Sequence, residues 1–565
     1  MSQSQSTFPL PNTSALDPQT QAFPHLTPQQ IDRIRPYGKL RPVSGGEIMF
    51  EVGDEHMPMF VLLSGKMEVV QPTCSSEREL VTHDAGGFSG EINMISGRRS
   101  LARGRVTEAG EFLEVTRENL RSLIAKDAEL SEIFMRAYIL RRLLLITNGF
   151  GDVVMLGSMH CGGTLRLREF LSRNGHPYTY VDLETDSHAQ EILDRFNVSM
   201  KEIPVLICRG TKVLRNPTPH EVADCLGLNN PVDESQVRDV IVVGGGPSGL
   251  AAAVYAASEG LKVLVIETSA PGGQAGSSSK IENYLGFPTG ISGFELATRA
   301  INQAQKFGAE MLVAHDVVRL HCDRRPYQIE LDNGQKLTTR TVVIASGAQY
   351  NKPDIPNRTK FEGVGVYYGA TNMEAPLCEG EEVVVVGGGN SAGQAAVYLS
   401  EKAKHLYMLV RSAQLAETMS RYLIDRIENN PKITVQYNSE IVGLEGGWHL
   451  ENVEWRNKST GEVRTCPIRH VFLMTGAVPS TAWLKDCLAL DSKGFIITGP
   501  DLQTSGNGNG NPVWPASRPP YLLETSLPGV FAAGDVRSGN VKRVASAVGE
   551  GSISVHLVHR VLAEG

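Results

Sequence analysis

Two glycine-rich loops, each following an apolar run, are the best-placed chemistry in this 565-residue chain. Asp239-Val240-Ile241-Val242-Val243 leads into Gly244-Gly245-Gly246-Pro247-Ser248-Gly249, and an alanine-rich stretch begins at Leu250. That order predicts a strand, a tight turn and a helix. In a dinucleotide site Gly244 would permit the turn, Gly246 would let the backbone approach a pyrophosphate, and Gly249 would let helix and strand pack closely. The helix start presents free N–H groups and the positive end of its dipole to that anion. A second predicted strand, Val263–Ile266, ends in Glu267, whose carboxylate can accept hydrogen bonds from a ribose diol.

The pattern recurs downstream. Val383-Val384-Val385-Val386 precedes Gly387-Gly388-Gly389-Asn390-Ser391-Ala392, and a further strand, Leu406–Val410, follows. Here Val410 stands where the first copy has Glu267, and Arg411 is next to it. Without the carboxylate there is no repulsion against a 2′-phosphate, and an arginine can pair with one. The second site is therefore expected to take NADPH rather than NADH. Two sites of this kind, one with a glutamate and one with an arginine, predict a flavoprotein that accepts hydride from a nicotinamide. Gly529-Val530-Phe531-Ala532-Ala533-Gly534-Asp535 predicts a strand whose Asp535 can reach a ribityl hydroxyl. Ala345-Ser346-Gly347-Ala348 closes another strand.

With these motifs, residues 238–565 resemble the thioredoxin-reductase family of pyridine-nucleotide flavoproteins. The resemblance implies that FAD lies against Gly273 and Gln274 of Pro271-Gly272-Gly273-Gln274, and against Asn283 of Ile281-Glu282-Asn283-Tyr284. It also implies contacts from Ala345, Gly347, Gly534, Asp535 and the Arg543-Val544-Ala545 segment. NADPH would lie on Gly387, Gly389, Asn390, Ser391 and Arg411. Hydride would then pass from nicotinamide to flavin, with hinges near 350–375 and 475–485 and a homodimer as the assembly. One departure matters. The family carries a Cys-Ala-Thr-Cys segment before the second loop, and this chain reads Gly369-Ala370-Thr371-Asn372. Dithiol exchange needs an attacking and a resolving thiolate, and glycine and asparagine supply neither. Cys378 follows in an apparent loop without an evident partner and reads as structural. Electrons would leave toward a small-molecule or small redox-protein acceptor, or through a sulfur elsewhere in the chain.

One such sulfur is Cys161. Residues 151–230 alternate predicted strands (Val153–Leu156, Tyr178–Leu183, Val205–Cys208) with helices (Thr164–Arg173, His188–Phe196), a βαβ signature. Cys161-Gly162-Gly163-Thr164 opens the first helix, and this stretch resembles glutaredoxins and the thioredoxin fold. The resemblance makes Ile203-Pro204-Val205 a cis-proline turn bordering the site. Cys161 matches the first active-site cysteine, and Thr164 replaces the second. The helix dipole favours a thiolate at this position, and His160 is adjacent. Two readings stay open: a catalytic monothiol forming mixed disulfides, and a degenerate docking domain with an inert cysteine. Cys208 and Cys225 read as core.

Short predicted strands punctuated by glycine turns, between Phe23 and Val115, suggest a β-roll, with one helical stretch from Arg117 to about Leu145. Within the roll, the run from Phe88 to Ser100 resembles the phosphate cassette of cyclic-nucleotide-binding domains. That likeness would assign Glu91 to the ribose 2′-hydroxyl and Arg99 to the cyclic phosphate, with Gly90 and Ser100 beside them. A roll that binds no cyclic nucleotide is the alternative.

These motifs divide the chain into a disordered tail (1–22), a cyclic-nucleotide-binding-like β-roll (23–150) and an α/β thioredoxin-like domain (151–230). A turn-rich linker over Asn229–Ser235 leads to an FAD domain (238–350 and 480–565) that encloses an NAD(P)H domain (351–479). The fold class is multidomain, with two Rossmann-like halves. Gly506–Asn511 reads as a flexible insertion. The composition agrees: 41% hydrophobic and 21% charged residues suit globular cores, and 54 basic against 62 acidic residues give a net charge of −8. That balance argues against a nucleic-acid partner. Eight cysteines with no C-x-x-C spacing argue against a disulfide framework or zinc ribbon. No metal site is expected. With no long apolar run and no signal peptide, a cytoplasmic protein without membrane association is expected.

Overall fold

Alternation of apolar residues builds the first sheets. The computed structural model describes residues 21–564 except 56, 73–76, 91–98, 148–152, 160, 185, 187–192, 194–198, 200–201, 209–211, 372–373, 485 and 505–513. The expected tail, the glycine-asparagine insertion, the helix at His188–Phe196, and Glu91, His160 and Asn372 therefore lie wholly or mostly outside the described residues. The chain forms two compact units, 1–150 and 151–565.

In the first unit the described residues form eight strands in two four-stranded sheets. They are β1 (Gly38–Val43), β2 (Ile48–Phe50), β3 (Met59–Leu62), β4 (Lys66–Pro72), β5 (Glu77–His83), β6 (Phe88–Ser89), β7 (Arg103–Glu108) and β8 (Gly110–Val115). The orders β1-β8-β3-β6 and β2-β7-β4-β5 are antiparallel throughout. Phe60, Leu62, Met67, Val106 and Phe112 fill one core. The helical stretch is two helices rather than one, Arg117–Lys126 and Ala128–Thr147. Asp127 breaks it: its backbone is extended, and its carboxylate accepts the N–H of Leu130 at 3.0 Å, starting the second helix. From that helix, buried Arg141 donates to the carbonyls of Ala22 and Phe88 and lies over the Phe23 and Phe88 rings.

The second unit begins with β9 (Val153–Gly157), β10 (Thr179–Asp182), β11 (Val205–Cys208) and β12 (Lys212–Arg215). They form a separate sheet of order β10-β9-β11-β12. β10 is parallel to β9, whereas β11 is antiparallel to both β9 and β12. Helix α1 (Gly162–Arg173) joins the parallel pair, and α2 (Pro219–Leu226) follows β12. The Thr218–Glu221 capping box and left-handed Gly227 set the ends of α2. Residues 229–235 are not merely a spacer: the Asn229 amide donates to Val313 O and accepts from Val313 N at 2.9 and 2.8 Å.

Beyond it, seven strands make one sheet. The first six are β13 (Arg238–Val243), β14 (Val263–Glu267), β15 (Glu310–Val313), β16 (Val317–His321), β17 (Tyr327–Leu331) and β18 (Lys336–Ile344), and the last is β29 (Val530–Ala532). Their order is β15-β14-β13-β18-β17-β16, with β29 paired to β18. β13, β14, β15, β18 and β29 run parallel. The helix after β13 starts at Pro247 rather than Leu250, with Gly246 as its N-cap.

The antiparallel ribbon of β19 (Ala348–Tyr350) and β28 (Ala477–Pro479) connects this sheet to a parallel one. The latter contains β20 (Val366–Tyr367), β21 (Glu382–Val386), β22 (His405–Val410), β23 (Ile433–Tyr437) and β27 (His470–Leu473), in the order β20-β27-β21-β22-β23. Between β23 and β27 the chain makes a small antiparallel sheet of β24 (Ser439–Glu445), β25 (Asn452–Asn457) and β26 (Val463–Cys466). Cys378 ends a 3₁₀ turn, Ala375–Cys378, and is fully buried instead of lying in an open loop.

Candidate active site

Gly244 closes the first loop at φ +105°, and a Cβ there would lie 2.3 Å from Ala345 O. At Gly249 the same atom would stand 1.9 Å from Gly244 O, so helix and strand meet at backbone distance. Nothing approaches the Cβ position of Gly246 closer than Gly273 Cα at 3.9 Å. The loop is therefore tight behind and open in front, as a pyrophosphate cradle must be. Glu267 lies at its rim: Oε2 accepts the N–H of Gly245 at 2.7 Å and Oε1 that of Ser269 at 3.1 Å. Burial raises its pKa against these two hydrogen bonds. Each oxygen keeps a lone pair for a diol.

Other expected residues converge on this face. Gly534 has φ +79°, and its added Cβ would meet Ser248 Cβ at 3.0 Å. Asp535 follows half-buried, its carboxyl raised by burial and opposed by Lys542. Gln274 donates to Ala348 O, and Gly347 at φ +67° has free space around it. Arg543 caps the helix Val544–Ala563, and Ala545 is exposed on its first turn. Asn283 is exposed beside Glu282. Two polar groups fit a ligand here: Ser248 Oγ and both amide atoms of Asn540 are buried without a hydrogen-bond partner. The cradle, the acid and these groups suit FAD.

The second loop is built alike. Gly387, at φ +143°, has Met474 O 2.5 Å from its Cβ position, and around Gly389 there is open space. Asn390 Oδ1 accepts the Ser420 N–H at 2.7 Å, and Thr418 donates to Gly388 O at 2.8 Å. Arg411 is exposed at the end of β22, and no ion pair engages it among the described residues. The open cradle and this cation suit a phosphorylated nicotinamide nucleotide.

Sequence reasoning missed four contacts. Burial foremost raises the Tyr350 phenol, which stands on the ribbon near Ser391 of the second loop and near Asp535. Glu550 accepts the Gly534 N–H at 2.7 Å and pairs with Arg537 at 2.5 Å. Arg426 grips Glu282 through two hydrogen bonds, 2.5 and 3.1 Å. At the end of α1, Arg173 donates to the carbonyls of Ala270 and Gly273 at 3.1 and 2.8 Å. Only Glu550 had a sequence signal, a carboxylate in the second turn of the helix after Gly-Asp.

In the segment after Gly369, Thr371 donates its N–H and hydroxyl to Glu374 at 2.9 and 2.5 Å. Cys378 Sγ–H points at Glu374 O, 3.6 Å away, and burial pushes its thiol up to about 12. It is a packing residue. Cys161 is half-buried at the N-cap of α1. Pro204, after a cis bond, lies 2.9 Å from the Cβ position of Gly163. Gly162 touches Gly363, and Leu165 packs into the same core as Tyr367, Ala375 and Cys378. In the first unit, Gly90 takes φ +99°, Arg99 pairs with Glu55 at 2.6 Å, and buried Ser100 donates to Ala102 O at 2.8 Å.

Residues 238–509 match the pyridine nucleotide-disulphide oxidoreductase family and residues 40–127 the cyclic nucleotide-binding domain. A thioredoxin reductase of Treponema pallidum is 34% identical over 318 residues, 56% of this chain and 95% of that protein. An NADPH-dependent thioredoxin reductase 3 of Arabidopsis thaliana is 32% identical over 370 residues, 62% of this chain and 65% of its own length. Among solved structures, Lactococcus lactis thioredoxin reductase in its FR conformation superposes with TM-score 0.52 at 27% identity, over 58% of this chain and all of that one. The T. acidophilum thioredoxin reductase gives 0.51 at 28% identity, over 58% of this chain and 99% of that one. The chain belongs to the thioredoxin-reductase family of flavoprotein, NAD(P)H-dependent oxidoreductases, and it carries an N-terminal cyclic nucleotide-binding domain. No helix among the described residues is long and apolar enough to cross a membrane.

Proposed function

We propose that this enzyme oxidises NADPH through FAD and delivers the electron pair to an acceptor other than a dithiol at positions 369–372. The observation that carries the reading is the pair of open glycine cradles, with Gly369-Ala370-Thr371 where the family has a redox cysteine. Bound together, the two nucleotides supply the hydride chemistry. The chain supplies position. Gly246 and the helix after it hold the first pyrophosphate, Glu267 the ribose and Asp535 the ribityl chain. Arg411 holds the 2′-phosphate and so selects NADPH over NADH. The purified protein should be yellow, and NADPH should bleach the visible flavin band without oxygen. A colourless protein that stays apo after FAD is added would overturn the reading.

A second reading, disulfide reduction through Cys161, is favoured by one contact. The helix start bearing Cys161 rests on the segment around Gly363, eight residues or fewer from Gly369–Thr371. The sheet order, the cis Pro204 beside α1 and the parallel β9–β10 pair support a thioredoxin-like or glutaredoxin-like domain. Cys161→Ser would then abolish disulfide reduction and leave flavin bleaching intact. Equal disulfide turnover in both proteins would remove this route.

The reading includes regulation by a cyclic nucleotide at Gly90, Glu91, Arg99 and Ser100, a cytoplasmic setting and a homodimer. Calorimetry with cAMP and cGMP tests the regulation: no heat and no change in NADPH oxidation would discard it.

A further inference from the structure

Helix α2 presents His220 and Asp224 four residues apart, hence on one face. Their His220 Nε2 and Asp224 Oδ2 atoms are 3.4 Å apart. A third side chain reaches this point from the other side of the interface. His315 follows β15 in the neighbouring sheet, is 4% exposed, and lies edge-to-face with His220 at 4.5 Å between ring centres. One donor atom from each of the three residues lies within 4.8 Å of the others.

The hydrogen bonds behind the rings are informative. His220 Nδ1 is 3.2 Å from Ala314 O, and a carbonyl only accepts, so that nitrogen carries the proton and Nε2 keeps its lone pair. His315 Nδ1 is 3.3 Å from Asp332 Oδ1, which fixes the same tautomer. An imidazole tied through one nitrogen to a carbonyl or carboxylate, with the other nitrogen free, is the arrangement that orients a metal-bound histidine. Two imidazoles and a carboxylate suit a divalent ion of the zinc type, with water as fourth ligand. At bond lengths of about 2.0–2.2 Å, tetrahedral donors stand about 3.3–3.5 Å apart, and the His220–Asp224 pair already does so. Asp224 is exposed and free to turn inward, whereas the Asn229–Val313 hydrogen bonds fix the backbone beside His315.

We propose that His220, Asp224 and His315 bind one zinc-class divalent ion that clasps α2 to the loop after β15. The site joins a helix packed on one sheet to a loop at the edge of another, so the ion stabilises their packed arrangement over any separated one. An alternative is a metal-free histidine pair beside a helical ion pair.

The test uses the full-length, FAD-loaded protein, stripped with a chelator and titrated with zinc chloride against a chromophoric competitor. One zinc per chain is expected, with a thermal midpoint that rises with zinc concentration. His220→Gln and His315→Ala should weaken binding at least 100-fold, and Asp332→Asn about 10–100-fold through loss of the outer partner. Asp224→Asn, at an exposed position, serves as the variant that cannot fail for lack of folding, and its flavin content should equal that of the parent. Absence of stoichiometric zinc, or affinity unchanged in both His220→Gln and Asp224→Asn, would overturn the proposal.

Discussion

At the scale of single residues, a methyl group is decisive at Gly244. Alanine there would take φ +105° and press on Ala345 O at 2.3 Å, so the turn must open. Gly244→Ala should purify without yellow colour, as read from the ratio of flavin to protein absorbance, and lose about 2–4 kcal/mol of stability. Arg411 makes a different demand. A charged hydrogen bond to a phosphate contributes about 1.5–3 kcal/mol, so Arg411→Ala should raise KM for NADPH about 10–100-fold and leave KM for NADH nearly unchanged. Equal effects on both nucleotides would remove Arg411 from the 2′-phosphate. Cys378→Ser should leave turnover as it is, because a thiol pushed to about 12 supplies no thiolate near neutrality.

Elements show what the sequence could reveal and what it could not. The glycine loops were legible because the chemistry leaves few alternatives: a left-handed turn, a close anion and a strand end must follow one another within about six residues. Glu267 and Asp535 were legible for the same reason, as polar residues ending apolar runs. The Asp127 break within the long helical stretch carried a signal, a capping residue three before Leu130, that hydrophobicity alone concealed. Contacts between distant segments carried none. Glu282 and Arg426 lie far apart in sequence and meet only because the ribbon β19–β28 brings two sheets together. His220 and His315 are likewise far apart in sequence, and they meet where α2 lies against the loop after β15. The Arg426–Glu282 pair fastens one sheet to the other, and Arg426 foremost holds the Glu282 carboxyl below its usual range. Both side chains are partly exposed, so the pair contributes about 0.2–1 kcal/mol. Arg426→Ala should change the rate of flavin bleaching by NADPH about two- to fivefold, and should remove most of its dependence on salt. A rate and salt profile equal to the parent would show that the pair does not bias the arrangement.

The whole molecule has two bodies whose stabilities respond to different conditions. In the first, His83 is buried, and burial foremost, then the charges of Arg141 and His25, lowers its pKa to about 3. The unfolded chain takes up that proton near the ordinary value of about 6.5, so the contribution is complete above it and falls as pH drops toward 3. The loss at pH 5 is about 2 kcal/mol. Thermal unfolding of the full chain should show a transition that shifts down between pH 7 and 5, and His83→Gln should flatten that shift.

In the second body, the approach of Gly162 to Gly363 has a mechanical consequence. A Cβ on Gly363 would stand 2.9 Å from Gly162 Cα, so one added carbon works as a wedge under the helix start. Gly363→Ala would pry the sulfur-bearing end away from its seat without altering either glycine cradle. A chain so wedged would separate any traffic through Cys161 from the filling of those cradles.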